Sequence, residues 1–173
     1  MKSIKVLAIA VLTTLASYST QAQSTKTIVE NAIDSKDHTT LVAAVKAAGL
    51  ADVLSSKGPF TVFAPTNEAF AKLPKGTIET LLKPENKATL QAVLTYHVVA
   101  GNLDSKAVVD AITKGKGSVT LTTVQGGKLV ASLSGKNVIL TDEKGNIATI
   151  TAVDITSSNG VIHVIDTVVL PKS

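Results

Sequence analysis

Near its end the chain carries a segment that leaves few folds open, Gly160-Val-Ile-His-Val-Ile-Asp-Thr-Val-Val-Leu170, with Asn159 before it and Pro171 after it. The Asn-Gly pair is a turn signal, the run behind it is dense in β-branched residues, and a proline with no N–H to give a ladder closes it. Alternation puts Val161, Ile165 and Val169 on one side of a strand and Ile162, Val164, Val168 and Leu170 on the other. Two apolar sides imply a central strand covered on both. Such a strand is satisfied only by long-range pairing, so earlier elements must leave a slot for it and truncation is expected to abolish the fold. His163 and Asp166 fall on opposite sides, which rules out a side-by-side catalytic pair; both read as buried groups held by structural partners.

The chain begins with a processing signal. Lys2 and Lys5 form a positive start, Val6 to Ala16 an apolar stretch too short to span a bilayer, and Thr20-Gln21-Ala22 a small-residue cleavage pattern. Residues 1–22 are therefore expected to be a cleaved signal peptide and 23–173 one domain, secreted, periplasmic or associated with the cell surface. No later run is apolar and long enough for a transmembrane segment.

About 150 residues suffice for a core without staples. Cysteine is absent, which excludes disulfides and thiolate chemistry. With 45% of residues hydrophobic and only 3% aromatic, the core is aliphatic and stacking platforms for single-stranded nucleic acid are missing. All 17 basic residues are lysines, spread along the chain. Removing Lys2 and Lys5 leaves fifteen against 13 acids, a near balance that, without arginine forks, argues against nucleic acid as a partner.

From Ser24 to Ser56 apolar spacing is helical, with Ile28, Val29, Ala32 and Ile33 on one face and Leu41, Val42, Val45 and Ala48 on the next. Asp37 is placed to cap the second helix, Gly49-Leu50 to end it, and His38 is expected to be exposed. Phe60 to Pro65 reads as a strand running straight into a helix capped by Thr66. Further helices are expected from Gly76 to Lys83 and after Pro84, the last reaching a helix-to-strand junction at Tyr96-His97, and a weak one at Ser105 to Ile112. Tyrosine and histidine at an apolar junction are capable acid, base or ligand groups. They more often close a buried network, and no nucleophile motif or carboxylate pair accompanies them.

Beyond Ser118 the period becomes two. Ser118–Val124, Lys128–Leu133, Asn137–Thr141 and Ile147–Ile155 are expected strands of an antiparallel meander, parted by Gly-containing turns. The turn Asp142-Glu-Lys-Gly-Asn146 is only superficially like a calcium loop, since Lys144 stands where an oxygen ligand belongs. No metal or cofactor is implied.

Three motifs in order also carry a resemblance. Gly58-Pro-Phe-Thr-Val-Phe-Ala-Pro-Thr-Asn-Glu-Ala-Phe70 resembles the first fingerprint of the fasciclin domain, Tyr96-His97 its central motif, and Asn159-Gly-Val-Ile-His-Val-Ile-Asp166 its second fingerprint. The resemblance spans essentially the whole chain after the signal. It implies an α+β fold in which a twisted, wedge-shaped β-sheet packs against several short helices, with Thr66, Tyr96, His97, His163 and Asp166 as structural motif residues. It also implies an adhesion or interaction module for an extracellular protein or glycan, rather than an enzyme. Asp154-Ile155 matches the offset of a receptor contact proposed in animal members. The competing expectation is a ligand-binding or hydrolytic pocket built from Tyr96, His97 and His163; a third is a purely structural envelope protein. Intact-mass analysis of the exported protein is expected to show cleavage between Ala22 and Gln23, and a retained N-terminal segment would contradict that reading.

Overall fold

The structure is a computed structural model that describes residues 24–172, so the expected signal peptide at 1–22 lies outside the described residues. Seven strands form one sheet in the order β2-β1-β7-β6-β5-β4-β3. They are β1 (Phe60–Pro65), β2 (Val98–Ala100), β3 (Ser118–Thr122), β4 (Lys128–Ser134), β5 (Asn137–Thr141), β6 (Ile147–Ser157) and β7 (Gly160–Ile165). The expected meander is present from β3 to β7, each pair antiparallel. The two end strands approach each other through a Val99–Thr123 bridge and a hydrogen bond from Val124 N–H to the Val98 carbonyl (2.7 Å). The sheet thus curls almost into a barrel.

The central place expected for the last strand is occupied by β7, antiparallel to β6 and parallel to β1 in the register Phe60↔Gly160 to Pro65↔Ile165. Its two sides feed two cores. On one side Val62, Ala64 and Ile162 pack against the helices α1 (Ile28–Asp34), α2 (Thr39–Ala48), α3 (Ala51–Ser55), α4 (Asn67–Ala71) and α6 (Lys87–Tyr96). A short α5 (Thr77–Leu81) lies beside α6. On the other side Phe63, Ile165, Leu129 and Leu140 fill the barrel, together with Val108 and Ile112 of α7 (Ser105–Lys114).

The junction of β1 and β7 is built by Asn159. Its side-chain oxygen takes the Ile28 N–H (3.0 Å) while its amide donates to the carbonyls of Leu54 (2.7 Å) and Ser56 (2.9 Å). Its own carbonyl accepts from Phe60 N–H (3.0 Å). The Asn-Gly signal works differently from a two-residue turn with left-handed centres. The hairpin loop is Ser158-Asn159, neither at positive φ, and Gly160 already pairs with Ser157. Glycine is needed at 160 because a Cβ there would lie 1.9 Å from the Phe60 carbonyl oxygen, and at 58 because one would lie 2.0 Å from the Asn159 carbonyl oxygen.

Several local expectations are corrected. The strand stops at Ile165 instead of Leu170, because the Asp166 carboxylate takes the Thr149 N–H (2.8 Å) and closes the β6–β7 ladder. Val168 and Val169 still alternate between the two cores. Asp37 is not the cap of α2; it lies in a 3-10 turn (Lys36–His38) that leads directly into Thr39. His38 is buried, at 6% exposure, because that turn folds it under the chain. The first helix starts at Ile28 with a reciprocal cap: Thr27 accepts from Glu30 N–H, and the Glu30 carboxylate takes Thr27 N–H (2.7 Å). Gly49 ends α2 at φ 70°, with Leu50 N–H returning to the Val45 carbonyl (3.0 Å), as expected of a glycine cap.

Urea midpoints are expected to fall for Gly160→Ala by the equivalent of about 3 kcal/mol, since the clash is with backbone that cannot rotate away. Asn159→Ala, which strands one N–H and two carbonyls, is expected to cost about 2–3 kcal/mol. Unchanged midpoints would show that the junction does not govern stability.

Candidate functional site

Tyr96 and His97 stand where α6 gives way to β2, as expected, but successive positions send them to different cores. His97 is 2% exposed. Its Nδ1 lies 2.8 Å from the Val93 carbonyl and its Nε2 accepts the Val169 N–H at 3.2 Å. That pairing requires the neutral tautomer with the proton on Nδ1. Burial pushes its pKa down to about 4. The Tyr96 hydroxyl donates to the Lys128 carbonyl (2.6 Å) and accepts from Glu143 N–H (3.2 Å), and burial pushes the phenol up to about 12. Gly127 lies flat on its ring, where a Cβ would come within 2.7 Å of a ring carbon.

His163 is as enclosed, at 1% exposure. It stacks on Phe63 with centroids 5.8 Å apart; Nε2 donates to the Leu103 carbonyl (2.6 Å), and Nδ1 accepts the Asp154 N–H (3.4 Å). The Thr66 hydroxyl caps α4 through Ala69 N–H (3.2 Å). Asp166 joins β7 to Thr149, and the Lys72 ammonium donates to its carbonyl (2.6 Å).

Tyr96, His97 and His163 are thus not brought into one pocket. His97 lines a small apolar cavity of about 40 Å³ with Val45, Val62 and Ile162, whereas neither Tyr96 nor His163 reaches it. Among the described residues no group of three or more His, Asp or Glu side chains could hold a metal ion.

The other sequence candidate lies on the surface. Beyond Thr149 strand β6 has no partner in β5, and every residue from Thr151 to Thr156 is exposed. A bulge between Ala152 and Ile155 puts Asp154 in the left-handed region at φ 59°. Its carboxylate takes the Ser105 N–H (2.7 Å) and the Ser105 hydroxyl, fixing the bulge to the start of α7 beside Asp104, which caps that helix through Ala107 N–H (2.7 Å). Ile155, opposite Ile162, is 38% exposed. Next to this stretch opens a polar groove of about 930 Å³, bounded by the hairpin, by residues 55–59 and by Asn102 and Asp104.

Two buried titratable residues escaped the sequence reading. Asp142 accepts from Lys144 N–H, Asn146 N–H and Leu170 N–H (2.8–2.9 Å). Its spacing to Gly145-Asn146 is that of a side chain folding over its own turn, the signal that would have found it. His38 holds the Ser35 hydroxyl at Nδ1 (2.7 Å), while its Nε2 has no aligned partner; burial lowers its pKa, with the Ala64 backbone opposing. Its pattern of flanking polar residues gave no warning.

A sequence profile of the Fasciclin domain matches residues 36–171. The chain belongs to the fasciclin family. It is 49% identical to protein sll1483 of Synechocystis over 86% of this chain and 75% of that one. With the immunogenic protein MPB70 of Mycobacterium bovis it shares 34% identity over 90% of this chain and 74% of that one. Among solved structures, a fasciclin domain pair from the insect cell adhesion molecule Fasciclin I superposes with a TM-score of 0.75 at 18% identity, covering 85% of this chain and 51% of the pair. The fasciclin fold expected from the three motifs is therefore the fold observed.

In this fasciclin domain His97 is neutral in the fold and has an ordinary pKa near 6.5 once unfolded, so its burial contributes stability in full above pH 6.5. That contribution is lost as pH falls from 6.5 towards 4, up to about 3 kcal/mol, because the unfolded chain binds the proton first. His38, also lowered, acts in the same direction. Denaturant midpoints are expected to be level above neutrality and to fall below pH 6.5, with His97→Gln less stable at pH 7 but shallower in slope. Parallel profiles for the two proteins would overturn the assignment.

Proposed function

We propose that this fasciclin domain is an exported interaction module of the adhesion class that engages an extracellular protein or glycan through the exposed part of β6 and the loops beside it. One observation carries this reading. The side-chain polar atoms of Tyr96, His97 and His163 are all engaged with backbone partners inside the fold, whereas Thr151 to Thr156 are exposed throughout. A hydrolytic pocket would need those three groups together and open to substrate, and they are apart and enclosed. The fingerprint strands are unavailable to a partner because both their sides are packed.

The fasciclin family, to which the chain belongs and whose insect member Fasciclin I is described as a cell adhesion molecule, supports the class of function. Among the described residues no helix is long and apolar enough to cross a membrane. Of the Asp154-Ile155 pair, Ile155 is the contact residue in this reading, and Asp154 sets its position through Ser105.

Capture of the protein on surfaces coated with cell-envelope protein or polysaccharide tests the proposal. Ile155→Lys is expected to keep its melting behaviour and to lower capture about tenfold, the loss of one apolar contact at a small interface. Asp154→Ala is expected to cost about 1–2 kcal/mol of stability by removing a helix-end acceptor and a residue tolerant of positive φ. Capture by Ile155→Lys equal to that of the parent would overturn the reading.

A further inference from the structure

We infer that the polar groove beside β6 is a binding site for neutral oligosaccharide. This deepens the interaction-module reading and rests on it. The groove, about 930 Å³, accommodates several sugar rings and is open to solvent. Its frame is rigid: Asn159 ties its floor to α1 and α3, and the Ser105 clamp on Asp154 fixes one wall.

The lining identifies the ligand class. Ser55, Thr156 and Ser158 present hydroxyls able both to donate and to accept, Ser157 keeps its donor while accepting from Asn31, and Thr27 and Ser56, which donate to Glu30 and Val53, keep acceptor capacity, a mixed pattern that complements a polyol. Asp104 and Asp154 add carboxylate oxygens on one wall. These already accept bonds from the start of α7, but each oxygen has two lone pairs, so adjacent sugar hydroxyls are matched by acceptors held in place beforehand. A protein partner anchors in deep apolar pockets through aromatic or aliphatic side chains, and here the apolar lining is little more than Pro59 and the buried Val161. Charge narrows the choice: two carboxylates face one ammonium, Lys57, so uronates and sulfated sugars are repelled. With no aromatic ring in the lining, affinity per site is on the order of millimolar, and firm attachment comes from many sites on one polymer.

The test is a titration of the 15N-labelled chain, residues 23–173, with cellotetraose, chitotetraose and tetragalacturonate, followed by amide shifts. At least one of the two neutral sugars is expected to move amides of residues 55–59, 102–104 and 154–160 and no distant group, while tetragalacturonate does not. The double variant Thr156→Val, Ser158→Ala keeps the backbone and removes two hydroxyls; it is expected to weaken binding about tenfold. Groove amides unmoved by both neutral sugars, shifts elsewhere only, or shifts with an extended serine-alanine decapeptide but not with sugar would each overturn the inference. If the sugars fail yet surface capture still depends on Ile155, the interaction-module reading stands alone. Sugar binding with no capture dependent on Ile155 has the reverse meaning.

Discussion

The parallel pairing of β1 with β7 is the constraint on which the rest of this fold depends. It joins residues a hundred positions apart, so its loop-closure entropy is met only when both cores form together. The two backbones approach closely at their starts, where Gly58 and Gly160 leave room for the carbonyls of Asn159 and Phe60. Because every residue from Thr61 to Pro65 and from Val161 to Ile165 is buried, this one ribbon divides the interior into a helical core and a barrel core. Loss of either strand therefore removes a wall from both.

The tail after β7 shows why two of the family's polar motif residues belong to the architecture. Past Ile165 the chain leaves the ladder but remains buried at Val168 and Val169, and its N–H groups must still find acceptors. Side chains supply them: His97 takes Val169 N–H, Asp142 takes Leu170 N–H and Glu143 takes Lys172 N–H. His97 can accept only while neutral, and the pocket that keeps it dry also keeps it neutral. His163 plays a matching part on the other core, joining the β6 bulge to the Leu103 loop. Imidazole suits both places because one ring presents a donor and an acceptor at opposite edges.

Much of this was legible in the sequence because it is local. Period two marked the meander, the double-sided run at 161–170 marked the central strand, and Gly49 and Thr66 marked helix ends by chemistry that acts within a few residues. The misreadings share a different cause. His38 is buried by a 3-10 turn whose packing depends on α4, and Asp166 ends the strand by reaching Thr149 on its neighbour. Asp154 is held by Ser105, forty-nine positions away, and Asn159 by α1 and α3. In each case a short polar side chain meets a backbone group brought near only by the finished topology, and no period reports that.

The same polar contacts decide which surface is free for a partner. Strand β6 leaves β5 at Thr149, and an unpaired edge of that kind invites uncontrolled pairing with other chains. The bulge at Ala152 to Ile155, with Asp154 at positive φ and drawn towards α7, breaks the edge into a form that no regular strand can extend. What remains is an exposed ribbon whose backbone is rigid and whose outward groups are short, with Val153 and Ile155 as the larger apolar ones. Rigid presentation limits the ordering cost of binding, while the short groups limit the gain per contact. A domain of this construction gains little from a single tight encounter and most from repeated encounters along a polymer or a crowded surface, which is the regime in which adhesion operates.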